Sequence, residues 1–333
     1  MTRLFLVTSP LHLLVAILIA SKSRNDRNLT ILTGKNEERC VLFKKHLESW
    51  DTSPFSSVIH LVNGRNPAHF NQYLKHEKID EIITGNDLTP EFHALLSCTS
   101  LNKATTVSYM DDGLYSYIEY EKEVPNKALY LLKNFFREAT KGYKKPFPHT
   151  LGSSPLTSKC YLFYPEKRKP TLQKKSCELI ISDTEQIKTL KSFAKHQLKH
   201  YKLQSLKEGY RLIAIPHQKA LTDAFKQSLI KEITDSSGLI AIKNHPSNNS
   251  EILGTLIPPE TEYIVIPQEV PLELLISLYT PKQLISGVSS TALTVKALSP
   301  ETNIKAISWP KEIESIFFDL SEYKSDSIER NFN

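Results

Sequence analysis

Ile285-Ser286-Gly287-Val288-Ser289-Ser290-Thr291-Ala292 is the stretch on which the reading of this chain turns. The short run Gln283 to Ile285 reads as a buried strand, a glycine and four hydroxyl residues follow, and Ala292 to Leu298 has helical character. That is a strand, a turn and a helix N-terminus. Backbone N–H groups at a helix start lack intrahelical acceptors and the helix dipole is positive there. Ser289, Ser290 and Thr291, with Gly287 in the turn, are therefore candidates to hold a phosphate. The same hydroxyls also suit a plain N-cap, since Ser and Thr are common caps.

Working outward, the pattern repeats. Ahead of this stretch lie strand Tyr210 to Ile215, helix Thr222 to Ile233, strand Leu239 to Lys243, strand Glu262 to Ile266 and helix Leu272 to Tyr279; Ile304 to Ile307 and a closing helix Pro310 to Phe318 follow it. The first half alternates in the same way, through strands Leu4 to Thr8, Leu29 to Thr33, Ser57 to Val62, Glu81 to Thr84 and Ala104 to Tyr109. Helices Leu11 to Ser21, Glu37 to Trp50, Pro67 to Glu77 and Thr89 to Cys98 lie between them. Helix Asn126 to Ala139, a loop over Gly142 to Pro155, strands Cys160 to Tyr164 and Cys177 to Ile181, and a Lys-rich helix Thr184 to Lys202 complete it. Strands alternating with helices at this spacing predict parallel, doubly wound sheets whose ligands sit at the C-terminal strand ends. The expected fold is α/β: two Rossmann-like domains, 1–205 and 206–315, facing a central cleft, with a tail over 316–333. No Gly-x-Gly-x-x-Gly follows the first strand and no P-loop is present, so dinucleotide binding in the usual manner is not indicated.

A chain of 333 residues exceeds what one ordinary core serves, and 23% charged with 40% hydrophobic residues excludes both a disordered chain and a polytopic membrane protein. Cys40, Cys98, Cys160 and Cys177 show neither C-x-x-C spacing nor a nearby histidine pair, so no zinc site or redox dithiol is signalled. Leu11 to Ala20 has the length of a signal-peptide core, but Ser9-Pro10 and His12 interrupt it; a first strand and helix are expected. The run is also shorter than the roughly 20 residues a membrane span needs. The net charge is +6, with basic residues concentrated between Lys127 and Lys175: Lys141, Lys144, Lys145, Lys167, Arg168, Lys169, Lys174 and Lys175. They form either a solvated linker surface or a patch that meets an anionic membrane face or glycolipid. No nucleic-acid motif accompanies the charge.

Four further groups carry chemistry. Asp111-Asp112-Gly113 follows a strand end; a carboxylate there, partly desolvated beside a second negative charge, has a raised pKa and suits a general base, although Asp-Gly is also a common turn. His245 ends a strand before Pro246, which fixes the exit of the chain, and suits a phosphate donor or general acid. His217, after Ile215-Pro216, is a second candidate of that kind. Glu273, one turn into a helix, suits ribose hydroxyls or is an ordinary first-turn glutamate. An Asp-x-Asp metal spacing is absent, and no metal site is expected.

The order Tyr109-Met110-Asp111-Asp112-Gly113, Lys243-Asn244-His245-Pro246, Pro271-Leu272-Glu273 and Ser286-Gly287-Val288-Ser289-Ser290 resembles the bacterial sialyltransferases of the two-domain GT-B type. The likeness is greatest to the lipooligosaccharide sialyltransferases of glycosyltransferase family 52, with the polysialyltransferases related. Thr8-Ser9-Pro10-Leu11 is similar to the short loop after the first strand in that group. The resemblance implies inverting, metal-independent transfer of sialic acid from CMP-sialic acid to a hydroxyl of a terminal galactose or sialic acid on a lipooligosaccharide or capsule glycan. It implies no further cofactor. By it, Asp111 or Asp112 is the base, with Asp111 preferred; His245 meets the leaving phosphate; Ser289 and Ser290 hold that phosphate; Glu273 binds ribose. Some lipooligosaccharide enzymes have an aspartate base just after the first strand of the second domain. This chain has Pro216-His217 there, which leaves His217 as an alternative base. The expected location is the cytoplasm, with peripheral contact at the inner membrane. The competing readings are a GT-B transferase with another donor, of glucose or Kdo type, and a non-catalytic nucleotide- or glycan-binding protein.

Overall fold

The computed structural model describes residues 1–34, 36–62, 64–98, 101, 104–119, 127–143, 150–234, 238–245, 248–249, 251–259, 261–287 and 289–307. Pro246, Val288, Lys144, Lys145, the anticipated closing helix over 310–318 and the tail over 316–333 lie outside the described residues. The chain divides into two compact units, Met1–Phe193 and the segment from Ala194 on.

The first unit is built on strands β1 (Thr2–Val7), β2 (Arg27–Leu32), β3 (Ser57–His60), β4 (Glu81–Thr84), β5 (Thr106–Met110), β6 (Thr157–Leu162) and β7 (Ser176–Leu179). They lie in the order β3-β2-β1-β4-β5-β6-β7, and every pair is parallel. Helices α1 (Pro10–Lys22), α2 (Glu37–Glu48), α3 (Pro67–Leu74), α4 (Pro90–Leu96), α5 (Lys127–Lys141) and α6 (Thr184–Leu198) connect or follow them. The strand order reverses between β1 and β4, which makes their C-terminal ends the topological switch point.

In β1 Leu4, Phe5, Leu6 and Val7 are all buried, as a parallel strand covered on both faces requires. The apolar run of α1 is a core helix. Every residue from Leu11 to Ser21 is buried, Pro10 opens the first turn, and the Ser9 side chain accepts from the His12 N–H at 3.1 Å. Helix α6 covers it: Gln186 Nε2 donates to the Leu18 carbonyl at 2.9 Å, and Phe193 packs 4.9 Å from the ring of Trp50.

The second unit repeats the plan with β8 (Arg211–Ala214), β9 (Ile240–Lys243), β10 (Tyr263–Ile266), β11 (Gln283–Ser286) and β12 (Asn303–Ala306), in the parallel order β10-β9-β8-β11-β12. Helices α7 (Asp223–Thr234), α8 (Ile252–Leu256), α9 (Leu272–Leu278) and α10 (Ser290–Leu298) intervene. Ile213, Phe225, Leu229, Ile242 and Ile285 form its core, and its switch point falls between β8 and β11.

Several expectations need adjustment. Strand β6 starts at Thr157, because Asp87 accepts the N–H groups of Gly152 at 2.9 Å and Ser154 at 3.1 Å and aims the chain back into the sheet. Its polar start, Thr157-Ser158-Lys159, has no apolar run to announce it. Helix α6 ends at Leu198 instead of Lys202, because Leu203 and Leu206 turn into the core. Helix α8, five residues with a glycine inside, gave no signal. The basic segment is not a linker: it belongs to the first unit, Lys169 is 2% exposed and donates to the Tyr115 carbonyl, and Lys175 donates to the carbonyls of Ser154 and Thr157.

Candidate active site

The two adjacent aspartates after β5 have opposite surroundings. Asp111 is fully buried, and its oxygens accept from Gly113 N–H at 2.8 Å, Phe163 N–H at 3.1 Å, Ser116 Oγ at 3.2 Å and the Tyr117 hydroxyl. Burial raises its pKa to about 6 against the pull of those donors. Gly113, at φ 66°, lets the chain turn back so that its N–H reaches that carboxylate. Burial likewise raises the pKa of the Tyr117 hydroxyl, with the Asp111 charge adding to the shift.

Asp112 is partly exposed, with its backbone N–H on Ser116 Oγ at 3.0 Å. Its Oδ1 lies 2.8 Å from Nε2 of His12, and Nδ1 of the same ring lies 2.9 Å from Thr8 Oγ1. A carboxylate has no proton to give, so Nε2 is the donor in this pair; in the neutral ring Nδ1 then accepts from Thr8. Gly85, just past β4, makes room for the ring, since a Cβ built there would stand only 2.1 Å from Nε2 of His12. The ends of β1, β4 and β5 thus meet around Asp112, at the switch point of the first sheet.

In the second unit His217 follows β8 and His245 follows β9, and their rings meet edge to face at 5.2 Å. Burial lowers the His245 pKa, and the neighbouring His217 lowers it further. Asn248, 5% exposed, ties their loops together. Its Oδ1 accepts from Gln218 N–H at 2.9 Å, and its Nδ2 donates to the Pro216 carbonyl and to Asn244 Oδ1, both at 2.9 Å. Lys243 is buried, with a pKa lowered to about 8 by desolvation against the opposing charges of Glu273 and Glu269.

The stretch that opened the reading forms β11, a turn and α10 as expected. Ser289 caps its own helix, accepting from Thr291 N–H at 3.1 Å and donating to Thr291 Oγ1 at 2.9 Å. Gly287 is buried against the neighbouring loop: a Cβ there would stand 3.0 Å from Phe225 and 3.1 Å from Pro216. The β11 turn, with Gly287 and Ser289, and the His217 loop thus lie at the second switch point.

The structure brings His217 and His245 together, and sets Gly287 against the His217 loop. It separates the surroundings of Asp111 and Asp112. His12, Asn248, Asn244, Lys243 and Gly85 were not named as site residues from the sequence. The one available signal was His12, a polar residue inside an otherwise apolar run.

A family model described as alpha-2,8-polysialyltransferase matches residues 3–307. A search of curated proteins finds no significant match. Among solved structures, the chain is similar to an alpha/beta-galactoside alpha-2,3-sialyltransferase from the luminous marine bacterium Photobacterium phosphoreum, at 13% identity and TM-score 0.57 over 98% of both chains. It is also similar to a UDP-N-acetylglucosamine 2-epimerase from Rickettsia bellii, at 13% identity and TM-score 0.51 over 97% of this chain and 88% of that one. These likenesses give the GT-B fold. With the family model matched along nearly its whole length, this glycosyltransferase belongs to the alpha-2,8-polysialyltransferase family.

Proposed function

We propose that the enzyme moves sialic acid from CMP-sialic acid to a hydroxyl of a terminal galactose or sialic acid on a bacterial lipooligosaccharide or capsule glycan, with inversion and without a metal. The observation that carries the reading is the partly exposed Asp112 carboxylate, fixed by His12 at 2.8 Å beyond the end of β5. Asp112, not its buried neighbour Asp111, is the base in this proposal. It takes the proton of the acceptor hydroxyl as that oxygen bonds to the anomeric carbon. The bond from that carbon to the phosphate oxygen breaks, and the electron pair leaves with CMP.

His245, with His217 beside it, donates an imidazole N–H to the leaving phosphate; the hydroxyls of Ser289, Ser290 and Thr291 and the positive end of α10 hold it. Glu273 takes the ribose hydroxyls. As the bond breaks, the donor's phosphodiester becomes the phosphomonoester of CMP and gains a second negative charge, which these groups meet without a metal ion. The acceptor is membrane-associated in this reading. Exposed residues of α5 support that part: Phe135 and Phe136 are 66% and 59% exposed, and Lys133 and Lys141 of the same helix are exposed too.

The test is CMP release from CMP-sialic acid with lactose-type and sialylated acceptors, in EDTA. Acceptor-dependent release that persists in EDTA and drops about a hundredfold or more in Asp112→Asn, at unchanged melting temperature, is expected. Release that needs a divalent cation would overturn the metal-free route. Release that survives Asp112→Asn would remove the assigned base.

A further inference from the structure

We propose that His12 is a positioning residue for the acceptor-side base, holding one oxygen of Asp112 through Nε2–H so that the other is presented to the acceptor hydroxyl; this rests on the base assignment above. The imidazole is 2% exposed, on the first turn of a helix otherwise packed with Leu, Val, Ile and Ala. An aliphatic side chain would satisfy that position as packing. The chain instead places there a ring whose two nitrogens are both spoken for: Nδ1 by Thr8 Oγ1 at 2.9 Å and Nε2 by Asp112 Oδ1 at 2.8 Å.

Three local features serve the pairing. The Ser9 cap fixes the first turn of α1 by accepting from the His12 backbone N–H at 3.1 Å. Gly85 gives up a side chain to admit the ring. Ser116 Oγ accepts the Asp112 N–H at 3.0 Å, which sets the backbone of the carboxylate. A buried donor spent on a partly exposed carboxylate is the arrangement a base needs: one oxygen locked, the side chain open to an incoming hydroxyl. The Thr8 hydroxyl, as donor to Nδ1, selects the tautomer that keeps the proton on Nε2.

Two readouts on the full-length chain test this. With 15N-histidine labelling, the signal that disappears in His12→Gln is expected to show a protonated Nε2 and a bare Nδ1 in the wild-type enzyme, and to shift in Asp112→Asn. A bare Nε2 in the wild type overturns the proposal without any activity measurement. In kinetics, His12→Asn, whose amide stops short of Asp112, is expected to lower kcat about tenfold or more, with the acceptor KM changed less than about twofold. His12→Gln, whose amide nitrogen reaches the Nε2 position, is expected to recover to within about threefold of wild type. Equal losses in both variants at unchanged melting temperature, or no loss in either, overturn it. If Asp112→Asn keeps its kcat while the tautomer signature stands, the base assignment fails and the pairing remains. If Asp112→Asn is inactive and both His12 variants are fully active, the positioning role alone fails.

Discussion

Asp111 and Asp112 show how one peptide bond separates an enclosed carboxylate from a partly exposed one. Asp111 organises the turn: four donors converge on it, from the turn itself and from Phe163 beyond β6. Asp111→Asn must turn an amide N–H₂ toward a backbone donor, and is expected to cost about 1–3 kcal/mol of stability. The pH dependence has a definite sign. Folding raises the Asp111 pKa from the ordinary 3.8 to about 6, so the fold binds its proton more tightly than the unfolded chain does. Its contribution is full below about pH 4 and is lost as pH rises through 6, by up to about 3 kcal/mol. The difference in denaturation midpoint between wild type and Asp111→Asn should therefore shrink between pH 4 and pH 7. A difference that stays flat, or grows with pH, would mean the burial of Asp111 is relieved in solution.

At the scale of elements, the candidate residues of each unit sit where that unit's sheet order reverses. Residues just past β1, β4 and β5 meet in the first unit, and loops after β8, β9 and β11 meet in the second, because adjacent crossovers leave in opposite directions at a switch point. Asn248 is what holds the second set. Its side chain bonds the loop of each histidine, so Asn248→Ala leaves the Gln218 N–H and the Pro216 carbonyl without their partner. The expected result is a rise of about tenfold in the KM for CMP-sialic acid together with about 1–3 kcal/mol lost from the second unit. Donor kinetics and thermal denaturation measure the two effects separately. An unchanged KM would show that the histidine loops hold their positions without Asn248.

For the molecule as a whole, the proposed membrane-associated acceptor makes a prediction about surface chemistry. No helix among the described residues is long and apolar enough to cross a membrane. Phe135, Phe136, Lys133 and Lys141 of α5 are exposed, and in the proposed reading they meet an anionic lipid surface. Replacing Phe135 and Phe136 by Ser, with Lys133 and Lys141 by Gln, is expected to lower activity on a lipid-linked acceptor in anionic vesicles about tenfold. Activity on a small soluble acceptor should stay within about twofold. Equal losses on both acceptors would detach α5 from membrane contact. Lys169 and Lys175 belong to a different class: their ammonium groups satisfy internal carbonyls, and replacing them should reduce stability instead.

Most of the alternation of strands and helices, though not the five-residue α8 or the polar start of β6, was legible, because parallel strands buried on both faces are written as apolar runs and helices carry their own caps. That determined the α/β class, both parallel sheets and the strand ends that carry Asp-Asp-Gly, His217, His245 and the Ser289 turn. Residue order also carried the kinship, through four short motifs at those ends. Tertiary structure alone decided which aspartate is enclosed and which is open, since adjacent residues share every sequence property except the side of the chain they face. It decided that His12, 100 residues from Asp112, is its partner, a pairing made by strand order and a missing Cβ at Gly85. Local spacing holds no record of contacts made across a sheet, and that is where this site is assembled.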